Sequence, residues 1–301
     1  MKRTPFLATL AFLAGCVASP KPSRIPEAEY TLRQGGDPRV GTYVSSLKGF
    51  ATNSFWIEGP EGLVLIDTQF LLSAATEAVD WAERTTGKKA KLAIVLHPNP
   101  DKFNGTELLK KRGIRVITSK QVADLIPAVH KDRYAAFYER FKPDYPVEAP
   151  EPEAFGDRTM EIEAAGLRIK LHVLGAGASG AHVVAEWEGH VFVGDLVASL
   201  GHPWLELGLV KEWLARLDEI WEMETEYVHP GRGPSGGDEL LERQEAYLKR
   251  VLELMRKNLK RKDAVEVVRK ALEEEHLGFS NRYFLKLGLP VVYERMKAGK
   301  L

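Results

Sequence analysis

The sequence predicts an α/β fold made of two comparable blocks of strands and helices, residues 40–118 and 159–262. Three observations predict it. Short runs rich in Val, Ile and aromatic residues alternate with segments whose apolar residues recur at helical spacing. Several of those runs are joined by the turn residues of hairpins. One run, 91–96, is almost wholly apolar, as befits a strand covered on both faces.

The first block opens with strands expected at 40–44, 53–58 and 63–67, the last two joined as a hairpin by Gly59-Pro60-Glu61-Gly62. Residues 71–86 carry a helical apolar spacing that stops at Gly87. The strand at 91–96 runs into the loop His97-Pro98-Asn99-Pro100-Asp101-Lys102, followed by a helix at 106–112 and a strand at 114–117. Residues 119–142 read as helix and 142–152 as a proline-studded connection. In the second block, strands at 159–164, 167–174, 182–187 and 190–193 are linked by turns at Gly166 and Glu188-Gly189. An amphipathic helix at 210–223, a short strand at 226–228 and a charged helix at 238–262 complete it. A C-terminal helical extension, 263–301, is expected to break near Gly278 and at Gly288-Leu289-Pro290. Trp213 and Trp221 sit at helical spacing and read as core, whereas Trp204 is a candidate for lining a groove.

The chain has 301 residues, 44% hydrophobic and 28% charged, which suffices for a sizeable core and excludes a disordered or collagen-like chain. Its 42 basic side chains balance 42 acidic ones, so the phosphate-neutralising excess of a nucleic-acid binder is missing. One cysteine excludes an internal disulfide and a Cys-based zinc cluster. No Gly-rich phosphate loop or dinucleotide fingerprint is present, and Ser179 has no nucleophile-elbow context.

That cysteine closes a targeting signal. Met1-Lys2-Arg3 is basic, residues 5–14 are apolar, and Leu13-Ala14-Gly15-Cys16 follows. The segment resembles the lipobox of bacterial lipoproteins. The resemblance implies that 1–15 is a signal peptide and that Cys16 is acylated as the first mature residue. Residues 16–39, proline-rich at their start, are then expected to be a flexible tether. A lipid-anchored protein on the extracytoplasmic, periplasmic side of the cell envelope is expected. With no other apolar run of membrane length, the lipid would be its anchor.

The body, 40–262, resembles the metallo-β-lactamase superfamily through landmarks that occur in order. These are Gly62-Leu63-Val64-Leu65-Ile66-Asp67-Thr68, the loop from His97 to Gly105, Gly175-Ala176-Gly177-Ala178-Ser179-Gly180-Ala181-His182, Val193-Gly194-Asp195-Leu196 and His229-Pro230-Gly231-Arg232-Gly233. The resemblance implies a four-layer αββα sandwich with functional loops along one edge. It also implies a metal site fed by a His-x-His-x-Asp-His loop, a histidine in the Gly-rich turn, a bridging aspartate and a last histidine. Mapped onto that pattern, the sequence keeps His97, Asp101 and Asp195, while Asn99, Lys102, Ala178 and Arg232 stand where the pattern has histidine.

The replacements carry chemistry of their own. An amide oxygen is a poor zinc donor beside imidazole, and protonated Lys and Arg offer no lone pair. Two carboxylates sharing a buried space need compensating charge, so the heads of Lys102 and Arg232 are expected to occupy the metal space as ion pairs. The alternative is that both are solvated loop residues. For function, two readings follow. One is a metal-free pseudoenzyme whose pocket of His97, Asn99, Asp101, Lys102, Ala178, Asp195 and Arg232 binds a small molecule or an envelope protein. The other is a hydrolase with a mononuclear zinc, iron or manganese site on His97, Asp101 and Asp195, with His229 recruited. Asp67 is expected to fix local loops, and His172, His182 and His190 to be packing residues.

Overall fold

The computed structural model describes residues 29–32 and 36–301; the expected leader, Cys16 and most of the expected tether lie outside them. The sheet begins earlier than the sequence suggests. β1 (Glu29–Leu32) lies in the stretch expected to be tether and pairs antiparallel with β2 (Val40–Val44), Thr31 opposite Thr42. Tyr and Thr favour extended backbone, and an edge strand needs only one partner.

β1 and β2 are followed in the first sheet by β3 (Asn53–Gly59), β4 (Gly62–Ile66), β5 (Ala90–Ile94), β6 (Arg115–Thr118) and β7 (Glu153–Ala154), lying side by side in chain order. The β3–β4 hairpin is antiparallel, and β4, β5 and β6 run parallel because helices cross between them. Those helices are α1 (Leu72–Thr86), which Gly87 terminates, α2 (Pro100–Phe103) and α3 (Thr106–Lys111). A long helix, α4 (Lys120–Phe141), precedes β7. The second sheet contains β8 (Met160–Ala164), β9 (Leu167–Leu174), β10 (His182–Trp187), β11 (His190–Ala198) and β12 (Tyr227–Arg232), ordered β12-β11-β10-β9-β8. Four helices follow or interrupt it: α5 (Val210–Trp221), α6 (Glu239–Asn258), α7 (Ala264–Glu275) and α8 (Arg282–Lys297).

Side-chain alternation on β10 and β11 explains the layers. Val183, Ala185 and Phe192 pack with Phe55, Ile57 and Ile66 of the first sheet, while Val184, Val191 and Val193 pack with Trp213 and Leu217 of α5 and Leu248 of α6. Both faces of these strands are thus covered, which is why they read as unbroken apolar runs. The result is an αββα sandwich with C-terminal helices.

Three expectations need correction. β11 continues past 193 to Ala198 and β12 past 228 to Arg232, because the two strands pair in parallel through a register shift at Gly194. Trp221, read as core, is 36% exposed at the end of α5, whereas Trp213 is buried. Finally, Gly288-Leu289-Pro290 lies inside α8 and does not interrupt it. Among the described residues no helix is long and apolar enough to cross a membrane.

A charge-paired cleft as candidate functional site

The C-terminal ends of β4, β5, β11 and β12 converge on one edge of the sandwich, the usual place for sites on parallel strands. β4 ends into Asp67, whose backbone takes the left-handed conformation (φ 63°). Its Oδ1 accepts the Leu96 amide at 2.9 Å, which ties the loop after β4 to the end of β5. β5 delivers His97, and the single turn α2 carries Asp101 and Lys102 inward, all three buried. β11 supplies Asp195 from within the strand. β12 supplies Arg232 at its last residue. Gly231 lets the two strands meet: a Cβ there would lie 2.2 Å from Asp195 Oδ1.

These groups form one buried charge cluster. Arg232 donates from Nη2 to Asp101 Oδ2 at 2.7 Å and from Nη1 to Asp195 Oδ2 at 2.5 Å. Lys102 Nζ lies 3.2 Å from Asp195 Oδ1, 3.3 Å from Asp101 Oδ2 and 3.6 Å from Asp67 Oδ2. These contacts are ion pairs without hydrogen-bond alignment, since neither Lys102 Nζ nor Asp195 Oδ1 has a hydrogen-bond partner. The Thr52 hydroxyl donates to Asp101 Oδ2 at 3.0 Å, and Arg232 Nε donates to the Phe50 carbonyl at 3.3 Å.

Burial alone would discharge every member, and the pairing decides otherwise. For Asp195, burial pushes the pKa up, but Arg232 and Lys102 outweigh it and hold the carboxyl well below its ordinary value. Asp101 is lowered in the same way by Lys102 and Arg232. Lys102 and Arg232 are both raised against the pull of burial by Asp195 and Asp101. Asp67 is pushed up by burial to about 6, because Lys102 at longer range, His97 and the Leu96 amide offset that burial only in part.

His97 closes the cluster from behind. Its Nε2 accepts the Asp195 amide over a long 3.4 Å, and its Nδ1 lies 3.1 Å from Ser179 Oγ. With Nε2 accepting, the assigned tautomer places the proton on Nδ1, which donates to Ser179.

Above the cluster lies an open cleft of about 400 Å³, mouth included. Asn99, Asp101, Asp195 and Arg232 line its floor, and its walls are aromatic. Phe50 and Phe137 pack on Phe70 with centroids 4.9 and 5.3 Å apart on one side. Trp204 packs edge-on against Phe284 at 4.7 Å on the other, beside Tyr283. Arg232 stacks over Phe284 at 5.4 Å. Arg133 is paired with Glu206, which also accepts the Trp204 indole N–H at 3.0 Å.

A family model described as the metallo-beta-lactamase superfamily matches residues 47–232. The chain belongs to the metallo-beta-lactamase superfamily. Solved structures similar to it include a metallo-beta-lactamase from Pontibacter korlensis, with a TM-score of 0.60, 21% identity, and coverage of 74% of this chain and 99% of that one. The DIM-1 metallo-beta-lactamase gives 0.60, 17% identity, 74% and 98%. A metallo-beta-lactamase from Hirschia baltica gives 0.55, 19% identity, 74% and 97%. At these identities the likeness is one of fold. No curated protein matches the sequence.

Membership of the metallo-beta-lactamase superfamily raises the question of whether the residues present fit a metal. As arranged they do not. An ammonium and a guanidinium stand within 3.3 Å of both carboxylates that would bind a dication, and His97 Nε2 already accepts an amide. Among the described residues no three His, Cys, Asp or Glu side chains form a metal-holding group.

Of the expected members, His97 and Lys102 lie fully buried in the cluster beneath the cleft and not in its lining, and two others are elsewhere. His229 points away from Arg232, with Nε2 2.9 Å from His190 Nδ1 and Nδ1 2.8 Å from Ser235 Oγ; both ring nitrogens are used, so it is not available to the cleft. Successive residues of a strand face opposite sides, which is why closeness in sequence misleads here. Ala178 packs between the second sheet and the outer helices and does not line the cleft. His182 accepts the Ser179 amide at 2.9 Å, a packing role. Conversely, sequence reasoning passed over Arg133 and Phe137, one turn apart on α4, and Tyr283 and Phe284 of the extension. The spacing of the first pair was a signal; the second pair had none.

Proposed function

We propose that this protein is a lipid-anchored, extracytoplasmic pseudoenzyme of the superfamily that holds a small molecule or an envelope partner in the aromatic cleft. The observation that carries the reading is the placement of Arg232, whose two terminal nitrogens take one oxygen each from Asp101 and Asp195. Metal-dependent hydrolysis needs a Lewis acid with an open position, which lowers the pKa of a bound water. Lys102 and Arg232 instead neutralise the carboxylates and offer no lone pair. Aromatic walls over a floor whose charges are already satisfied suit a ligand bound by its shape and apolar surface. Anchoring rests on Leu13-Ala14-Gly15-Cys16 and its basic and apolar lead-in.

The test is a thermal melt of the purified protein with zinc, manganese, iron(II) or a chelator. Tm is expected to stay within about 1 °C throughout, because a ligand that does not bind the native state cannot stabilise it. A saturable rise of several degrees with any one metal overturns the reading in favour of a mononuclear hydrolase on His97, Asp101 and Asp195. Anchoring is read separately: Cys16→Ala is expected to move the protein from the membrane fraction to the soluble one.

A further inference from the structure

A second cavity, of about 1190 Å³ with its mouth included, shares no lining residue with the cleft. The end of β11 and residues 199–201 form one wall, α6 the second, and the end of α7 with His276 and Phe279 the third. The C-terminal extension therefore supplies one of its three walls.

Three features of its lining are chemically specific. Gln244 is only 3% exposed, and its Oε1 accepts the Ala198 amide at 3.1 Å. That bond fixes which end of the amide is oxygen, and leaves Nε2 as a buried donor with no hydrogen-bond partner. A buried N–H in that state is costly and calls for an acceptor. Beside it, Tyr247, His276 and Phe279 form an aromatic end, with centroids 4.9 and 4.7 Å apart along the series. The Tyr247 hydroxyl is held by His202 Nδ1 at 2.7 Å. The third feature is charge. Arg250 on the rim is neutralised by Glu275 and Glu253, but Arg243, one helical turn before Tyr247, has no acidic partner among the described residues.

We infer that this cavity is a second ligand site, distinct from the charge-paired cleft, and that it takes a small aromatic carboxylate. The ring packs at the Tyr247, His276 and Phe279 end, the carboxylate pairs with Arg243, and an oxygen accepts from Gln244 Nε2. This site stands whether or not the cleft binds metal.

The probes are 2-naphthoate and its neutral counterpart 2-naphthamide, titrated calorimetrically into the full-length protein. Saturable one-to-one binding of 2-naphthoate is expected. Arg243→Gln is expected to weaken it at least about fivefold while leaving 2-naphthamide unchanged, the mark of a lost charge-assisted pair. Ala246→Trp, at an exposed helix position on the cavity wall, is expected to abolish binding of both. Phe284→Ala, in the cleft, is expected to change neither. The inference is overturned by an absence of saturable binding up to about 5 mM, near the weak end of specific affinity. It is equally overturned by undiminished binding in Ala246→Trp, by loss in Phe284→Ala, or by an Arg243→Gln protein that keeps full affinity for 2-naphthoate.

Discussion

Arg232 donates to Asp195 at 2.5 Å with both side chains buried, and the pair joins the end of β12 to the interior of the parallel strand β11. Its second nitrogen reaches Asp101 on the opposite sheet's loop, so a single guanidinium ties the two halves of the sandwich together at the cleft. Removing one partner of a buried pair leaves an uncompensated charge, at a cost of about 3–5 kcal/mol. Arg232→Met is therefore expected to lower unfolding stability by roughly that amount in urea titrations. Arg232→Lys is expected to recover little, because one ammonium cannot present two parallel donors to separate carboxylates. A loss under about 1 kcal/mol for Arg232→Met, the range of an exposed pair, would show that these charges are solvated.

Lys102 has the same logic with a sharper partner test. Its ammonium faces Asp195, Asp101 and Asp67, all buried. Lys102→Met is expected to destabilise by several kcal/mol, in the range for breaking a buried pair. Adding Asp195→Asn removes the charge left stranded, so the double variant is expected to be more stable than the sum of the two singles by about 1–3 kcal/mol. Additive losses in a double-mutant cycle would mean that Lys102 does not compensate Asp195.

Lys102 and Arg232 stand out in the sequence because buried carboxylates must be paired, and cations beside Asp101 and Asp195 meet that need at a distance read from landmarks alone. Strands were legible for a similar reason: coverage on both faces writes an apolar run directly into the chain, as in β5 and β10. What the sequence does not display is which side of an element faces which neighbour. His229 sits three residues from Arg232 yet belongs to the stack of Phe192 and His190, and Trp221 falls where α5 leaves the core. Cleft walls from Phe50, Phe137 and Phe284 come from segments far apart in the chain, and no local pattern announces a surface assembled by tertiary packing. Pro290 reads as a breaker, but the packing of Leu285, Leu289 and Val292 carries the helix through it.

Acid should weaken the fold through His229. Its ring stacks on Phe192 at 4.4 Å, and burial, helped by His190, depresses its pKa to about 3. Below the unfolded value of 6.5 the unfolded chain takes a proton that the native state refuses, so stability is full above pH 6.5 and falls as pH drops toward 3. The slope from this residue is roughly 1.4 kcal/mol per pH unit. Asp67 works the other way. With a native pKa of about 6 it binds its proton before the unfolded chain does, and gives back stability as pH falls from 6 to 3.8. Urea midpoints measured from pH 7.5 to 4.5 are thus expected to fall less steeply in His229→Phe and more steeply in Asp67→Asn than in the unmodified protein. Parallel curves for all three would remove both assignments.

Gly288 decides how the C-terminal extension reaches the cleft. A Cβ at this position of α8 would lie 2.4 Å from Leu205 Cβ and 2.9 Å from the Leu205 backbone, next to Trp204. In an open helix interior, Gly→Ala stabilises by about 1 kcal/mol, because glycine loses more freedom on folding. Here the added methyl has to displace backbone, and overpacking of that kind costs about 1–3 kcal/mol. Gly288→Ala is therefore expected to destabilise in urea titrations, against its helix propensity. As α8 shifts it should carry Phe284 from its edge contact with Trp204, and a red shift of tryptophan emission before global unfolding is the accompanying sign. A more stable Gly288→Ala protein with unchanged emission would mean that α8 does not press on Leu205, and that the aromatic wall of the cleft is not set by the extension.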